Sequence, residues 1–167
     1  ILTKRIDGTE KAAEKRMSPS SANEWWPVAV CDSKGKLFVA FDTYERGNYD
    51  VALIADATGD NPRRIDVAAT ALHEARPSLA VDKGDRVWVA FEEAGVNWGK
   101  DVGMRWRGPS GELLYWRREI VLRCVEGDRI EQAAGKVPCE PIKRNYPDAA
   151  TRRMSIPRLA IDGRGRV

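Results

Sequence analysis

The stretch RPSLAVDKGDRVWVAFE, residues 76–92, decides the fold because the same phrase occurs three times in the chain. It aligns with WPVAVCDSKGKLFVAFD at 26–42 and with IPRLAIDGRGRV at 156–167. Each copy has an aspartate five residues after its proline, and the first two copies continue together to Val-Ala-Phe and an acidic residue. Successive prolines are 50 and 80 residues apart. Internal repetition at such a period predicts a repeat architecture.

The repeated phrase has the chemistry of a β-hairpin. Its proline and short apolar run predict a strand that begins at the proline, because proline lacks a backbone N–H. An aspartate then opens a glycine-containing turn, since aspartate bonds the backbone two residues on and glycine adopts positive φ. The nearly continuous apolar runs 37–41 and 87–91 are typical of strands buried on both faces. The turn-opening residues are Asp32, Asp82 and Asp162, and the preceding runs are 28–31, 78–81 and 158–161.

Two more predicted strands complete each unit. In the first unit, residues 49–56 alternate as a third strand, and 63–69 form a shorter and more polar fourth strand. Four antiparallel strands in about 50 residues, repeated in tandem, are typical of a β-propeller blade. The sequence therefore predicts an all-β propeller segment of about two complete blades, incomplete at both ends. Residues 9–16 and 71–75 are predicted to form short helical turns between strands.

These assignments divide the chain at the repeat boundaries. Since propellers close with 4–8 blades, we expect the missing blades elsewhere in the same polypeptide. The rest of the polypeptide is thus the first expected partner of this segment. The predicted parts are the end of a preceding blade with a linker at 1–24, a blade at 25–75, a blade at 76–155 with long insertions at 94–111 and 133–155, and the first strand of a further blade at 156–167.

Composition excludes several classes of function. The 28 basic and 25 acidic residues leave a net charge of +3 without a basic stripe, so no nucleic-acid partner is expected. No apolar run approaches the roughly 20 residues of a membrane span. With one histidine and no C-x-x-C, we predict neither a metal site nor a cofactor. Cys31 is expected in the core, and whether Cys124 pairs with Cys139 stays open.

The consensus P-x-L-A-V-D-x-x-G-x-V-W-V-A-F-E resembles the repeats of bacterial β-propellers of the sialidase-like and NHL-like kinds. Residues 88–103 and 47–54 resemble propeller regions that precede a metal-dependent hydrolase-type domain in bacterial proteins. The resemblance implies a secreted protein, periplasmic or extracellular, with any catalytic part beyond Val167. The sialidase Asp-box S-x-D-x-G-x-T-W is not reproduced, because no copy has its serine and Trp88 falls six residues after Asp82. Sialidase catalysis is therefore not carried over.

Ligands of propellers bind at the face reached by the loops between second and third strands and between blades, and this chain has its extra length there. Tryptophan faces stack on sugar rings and arginine forks grip anions, which predicts ligand binding by the first insertion. Alternatively, its tryptophans anchor the loop to the blade and its charges are solvated. The candidate residues are Trp98, Lys100, Asp101, Arg105, Trp106 and Arg107, with Tyr44 and Arg46 in the equivalent loop of the first unit.

Asp42 and Glu92 stand at the ends of equivalent strands and have two interpretations. They are either paired carboxylates for acid–base chemistry or, as their repetition favours, acceptors for turn and backbone amides. We assign no catalytic residue. The sequence predicts a non-catalytic binding or scaffolding propeller segment whose ligand is a carbohydrate or a protein. The alternative is part of a glycosidase, sialidase-like or metal-dependent hydrolase whose catalytic residues lie mostly outside this segment.

Overall fold

The computed structural model describes residues 1–4, 6, 14–95, 118–135, 137 and 156–167. In these residues the chain is all-β, and no helix of a length and hydrophobicity that would cross a membrane occurs among them. The strands are β1 Leu2–Thr3, β2 Lys15–Arg16, β3 Glu24–Cys31, β4 Leu37–Thr43, β5 Asp50–Ala55, β6 Arg63–Ala68, β7 His73–Val81, β8 Val87–Ala94, β9 Arg118–Glu126 and β10 Arg129–Gln132.

Two antiparallel sheets of four strands carry most of the fold. The first sheet has the order β3-β4-β5-β6, and the second has the order β7-β8-β9-β10, so consecutive strands pair throughout. A short antiparallel pair, β1 and β2, precedes them. The predicted all-β fold with four-stranded antiparallel sheets is confirmed. The division of the chain into blades stays a prediction.

The first strand of each sheet begins earlier than the sequence predicts. β3 starts at Glu24 and β7 at His73, so Pro27 and Pro77 lie inside strands and not at their starts. The predicted helical turn at 71–75 is therefore wrong, because His73–Ala75 pair with Glu92–Ala94 of β8. Proline is tolerated there because a β-bulge at that point interrupts the ladder of hydrogen bonds.

The bulge has the same form in both sheets. In the first, pairing passes from Trp25–Asp42 to Val28–Ala40, so that Trp26 and Pro27 together oppose a single residue. In the second, pairing passes from Ala75–Glu92 to Ser78–Ala90, two residues again opposing one. A bulge of this kind bends the strand and re-aims a side chain. Trp26 and Arg76, at equivalent positions, have left-handed φ of 50° and 57°.

The core lies between the sheets and on both faces of β4. Ala40 packs in one cluster with Val89 and Phe91 of the second sheet. Val39 and Phe41, on the other face of β4, pack with Met17, which follows β2. β4 is thus buried on both faces beyond Phe38, as its continuous apolar run predicts.

The turn-opening aspartates act as predicted. Asp32 accepts the backbone amides two and four residues on at 2.9 and 2.8 Å, Asp82 accepts them at 2.9 and 3.1 Å, and Asp162 at 2.8 and 2.9 Å. Residues 156–167 therefore repeat the turn, although they are not assigned to a strand. Asp82 accepts in addition the indole N–H of Trp88 at 2.9 Å, a contact that the repeat alignment did not predict.

Two details of the turn region differ from expectation. In the second copy the left-handed residue is Asp85, with φ of 61°, and not Gly84. The Asp85 carboxylate uses this position to accept the backbone N–H and hydroxyl of Ser33 from the first copy, at 2.9 and 2.8 Å. Cys31 is exposed and not in the core, because side chains alternate along β3 and it is Val28 and Val30 that pack against the core. A pairing of Cys124 involves Cys139, which lies outside the described residues.

Candidate functional site

A cleft opens at the end of the sheets opposite the aspartate turns. It lies where β3 and β7 begin and where β4 ends, and its volume is about 170 Å³. Pockets for drug-sized ligands usually measure about 300–1,000 Å³, so this cleft suits a single small ring. Its lining residues are Trp25, Trp26, Asp42, Tyr49, His73, Ala75 and Arg76.

Aromatic rings form one wall of the cleft. Tyr49 is at their centre, with its ring 5.2 Å from Trp25, 5.2 Å from Tyr44 and 5.1 Å from His73. The Tyr44 and His73 rings meet Tyr49 edge to face, which is a favoured aromatic geometry. The wall combines β3, the loop between β4 and β5, and the start of β7, so it depends on contact between the two sheets.

Arg76 connects the parts of the cleft. Its backbone N–H donates to Asp42 Oδ1 at 3.0 Å, from the second sheet to the first. Its guanidinium lies over the Trp26 ring at 5.5 Å and donates to both Glu92 oxygens at 3.2 and 3.3 Å. Arg118 approaches the same carboxylate at 3.5 Å. The charge of Glu92, which is fully buried, is therefore compensated by two arginines.

Two titratable groups of the cleft, Asp42 and His73, have shifted pKa values. Burial raises the pKa of Asp42 to about 7, an effect opposed by the amide and charge of Arg76 and reinforced by the charge of Glu92. Burial lowers the pKa of His73 to about 4, so its imidazole is neutral at pH 7. A cleft that contains groups perturbed in this way is a candidate functional site.

Asp42 and Glu92 have the backbone role that their repetition predicts. Asp42 accepts the amide of Arg76, and Glu92 accepts the amide of Ile156 at the start of the third copy. Each carboxylate thus bonds the residue before the next repeated proline. Asp42 also lines the cleft, so the structural role and a chemical one coexist at that residue.

The candidates in the first insertion lie outside the described residues. They are Trp98, Lys100, Asp101, Arg105, Trp106 and Arg107. Tyr44 is half-buried against Tyr49 and supports the wall from behind. Arg46 is exposed and pairs with Asp66 at 2.5 Å and Asp50 at 3.5 Å, so its charge is directed to β5 and β6.

The predicted candidates Tyr44 and Arg46 belong to the loop between β4 and β5, which reaches the cleft at Tyr49. The β4–β5 loop contains Tyr49, whose carbonyl accepts the amide of Glu74 on β7 at 2.9 Å, which fixes this loop against the start of the second sheet. The sequence analysis did not predict the aromatic and basic lining residues of the cleft, which are Trp25, Trp26, Tyr49, His73 and Arg76. A signal was present, because the residue before the repeated proline differs in chemistry between the copies.

A second groove lies between the sheets at the turn end and has a volume of about 370 Å³. Some of its charges are paired: Lys34 lies 3.7 Å from Asp85, and Arg63 pairs with Asp128. No aromatic side chain besides the half-buried Phe38 lines it among the described residues. The same part of the chain contains no group of three His, Cys, Asp or Glu placed to hold a metal ion.

Comparison with family models, with curated proteins and with solved structures found no match to this chain.

Proposed function

We propose that the chain is part of a β-propeller that binds carbohydrate without catalysis, one neutral sugar ring lying in the cleft. The observation that carries the proposal is the cleft itself, in which two tryptophans and a tyrosine surround a volume of about 170 Å³ beside polar groups. Tryptophan stacks on the apolar face of a ring, and the polar groups around it select the hydroxyls.

The propeller part of the proposal is supported by the way successive units meet. The first unit contacts the second through Asp42 and the amide of Arg76, and the second contacts the third through Glu92 and Ile156. At the turn end, Lys83 donates to the carbonyl of Gly163 at 2.7 Å. Units that repeat the same contact at each step generate a ring when the rotation closes.

The charge of the cleft favours a neutral sugar over an acidic one. Arg76 is paired with Glu92, and His73 is uncharged at pH 7. An added carboxylate would approach Asp42 and Glu92, and among the described residues that line the cleft no uncompensated cation would meet it. Sugar hydroxyls, by contrast, donate to a carboxylate and accept from a guanidinium.

The first insertion is expected to complete the site. It connects β8 to β9, as the loop with Tyr49 connects β4 to β5. We therefore expect Trp98→Ala and Arg105→Ala to weaken ligand binding. If both variants bind the ligand as the wild type does, the insertion is not part of the site and the cleft residues form the whole site.

A hydrolase is the second candidate, and one observation favours it. With a pKa of about 7, Asp42 is partly protonated at neutral pH and has the proton of a general acid. In that case Asp42→Asn abolishes the hydrolysis of a bound glycoside and leaves its binding nearly unchanged. If the protein only binds carbohydrate, the wild type does not hydrolyse the glycoside and the variant causes no change in hydrolysis.

A glycan array of neutral and acidic oligosaccharides tests the proposal directly. We expect the full-length protein to retain neutral glycans, and Trp25→Ala to lose them because the aromatic wall is broken. Trp88→Phe is the matched control, since Trp88 lies at the turn end beside Asp82. Absence of binding to every neutral glycan, or a preference for sialylated and uronic-acid glycans, would contradict the proposal.

A further inference from the structure

Three residues at one position of the repeat share an uncommon backbone conformation. Trp26, Arg76 and Ile156 each precede the repeated proline, and their φ angles are 50°, 57° and 53°. This left-handed region favours glycine, and a β-branched isoleucine there is a clear outlier. None of the three residues is glycine. Each unit therefore has a side chain at a position where a side chain strains the backbone.

The backbone at this position is held by the preceding unit. Asp42 Oδ1 accepts the amide of Arg76 at 3.0 Å, and Glu92 accepts the amide of Ile156. Both carboxylates are buried. The conformation is therefore supported by the contact between units, and the chemistry of the side chain is left free to vary.

The side chains at this position are chemically different from one another, Trp26 and Ile156 being exposed and Arg76 half-buried. Trp26 is 49 % exposed and Ile156 is 45 % exposed, whereas most apolar residues of the strands are buried. Arg76 lies over the Trp26 ring at 5.5 Å, and its partner Glu92 also holds Ile156. Trp26 and Arg76 thus lie together at the cleft, and Ile156 is connected to Arg76 through Glu92.

We infer that the residue before the repeated proline is the position through which each unit contacts the ligand, so that Trp26, Arg76 and Ile156 set carbohydrate specificity. We name these three residues the bulge row. The inference rests on the proposed carbohydrate binding and extends it, because a row that spans three units contacts more than one sugar. The ligand class is accordingly a neutral oligosaccharide, with one ring on Trp26 and a later sugar on Ile156.

Glycine variants separate this role from a structural one. Glycine adopts left-handed φ freely, so Trp26→Gly and Ile156→Gly remove a side chain and keep the backbone. Binding is titrated by calorimetry with cello-, xylo- and malto-oligosaccharides of increasing length, from monosaccharide upward. We expect Trp26→Gly to weaken every length by about tenfold or more, and Ile156→Gly to weaken only the longer ones.

The melting temperatures of both glycine variants should stay within about 4 °C of wild type or rise. Asp56→Gly is the matched control, because Asp56 is also left-handed, with φ of 54°, but lines the groove at the turn end. It should bind as wild type. Trp26→Tyr keeps a ring at the position and should restore binding with a changed preference among the oligosaccharides.

The outcomes distinguish the inference from the function on which it rests. If the wild type binds no oligosaccharide of any series, the proposed function fails and the inference fails with it. If the wild type binds and both glycine variants bind equally well, the inference is wrong while the function stands. If binding is lost together with a fall in melting temperature of more than about 10 °C, the side chains are structural and the inference is again wrong.

Discussion

The charge of Asp42 gives the sharpest quantitative prediction about stability. Its side chain is 2 % exposed and accepts the amide of Arg76 through Oδ1. Asp42→Asn keeps an oxygen that accepts this bond and removes only the titration. The variant therefore isolates the free energy of burying a carboxylate in the cleft.

The magnitude follows from the shift in the pKa of Asp42, from 3.8 to about 7. A raised pKa means that the folded protein holds the proton more tightly than the unfolded chain does. The resulting stabilisation is complete below pH 3.8 and is lost as the pH rises through about 7. At roughly 1.4 kcal/mol per pH unit, the loss amounts to about 4 kcal/mol over that window.

In the wild type, the titration of His73 opposes the pH dependence of stability that Asp42 causes. The pKa of His73 is lowered from 6.5 to about 4 by burial, so its protonation destabilises the folded state and stability rises with pH over that interval. The slopes of Asp42 and His73 thus oppose each other. The comparison of wild type with Asp42→Asn cancels the histidine, because both proteins contain it.

Urea unfolding followed by circular dichroism at pH values from 4 to 8 measures the difference. We expect Asp42→Asn to match the wild type near pH 4 and to exceed its free energy of unfolding by about 4 kcal/mol at pH 8. Asp60→Asn, at an exposed loop position, should follow the wild-type curve throughout. A difference between Asp42→Asn and the wild type that does not change with pH would refute the reasoning.

Two further predictions concern the contacts between and within units. Glu92→Gln keeps the acceptor for Ile156 but removes the buried charge that pairs with Arg76 and Arg118, so the free energy of unfolding should fall by about 2–3 kcal/mol. An unchanged urea midpoint, equal to that of the exposed control Glu126→Gln, would contradict this prediction. Asp82→Ala should lower the free energy of unfolding by about 2–3 kcal/mol, and Asp32→Ala should lower it by about 1 kcal/mol. The difference is expected because Asp82 also accepts hydrogen bonds from Trp88 Nε1 and Arg86 Nε. Equal losses in thermal melts would show that these side-chain bonds contribute nothing.

The repeat predicted the hairpins β3–β4 and β7–β8, and the run of the chain predicted β5 and β6, because hairpin chemistry is local. Asp32 and Asp82 accept hydrogen bonds from amides only two and four residues away, so their role can be predicted from a short stretch of sequence. The apolar run of β4 similarly predicts that this strand is buried on both faces. These features depend on neighbours in sequence and not on the packing of distant units.

The bulges were not predictable in the same way. Pro27 and Pro77 look like strand starts, since proline is common there, and the continuation of each strand before the proline depends on pairing with a distant partner. Ala75, for example, pairs with Glu92. The left-handed backbone of Arg76 likewise depends on Asp42, which is 34 residues earlier in the chain.

The residues that line the cleft differ from the candidates that the sequence predicted for ligand binding. Long insertions draw attention because loops of that length are often functional, whereas Trp26 and Arg76 stand beside a repeated proline that suggests structure alone. Only the contact between the sheets brings Trp26, Tyr49 and His73 to one cleft. The discriminating feature in the sequence is variation at a fixed position of an otherwise constant phrase.

Indole NMR of the full-length protein tests the central claim most directly. The chain has six tryptophans, so nitrogen-15 labelling reports each indole N–H as the best neutral oligosaccharide from the array is added. We predict shifts at Trp25 and Trp26, which line the cleft, and none at Trp88, which bonds Asp82 at the far end. Saturable binding that leaves Trp25 and Trp26 unshifted would contradict the account.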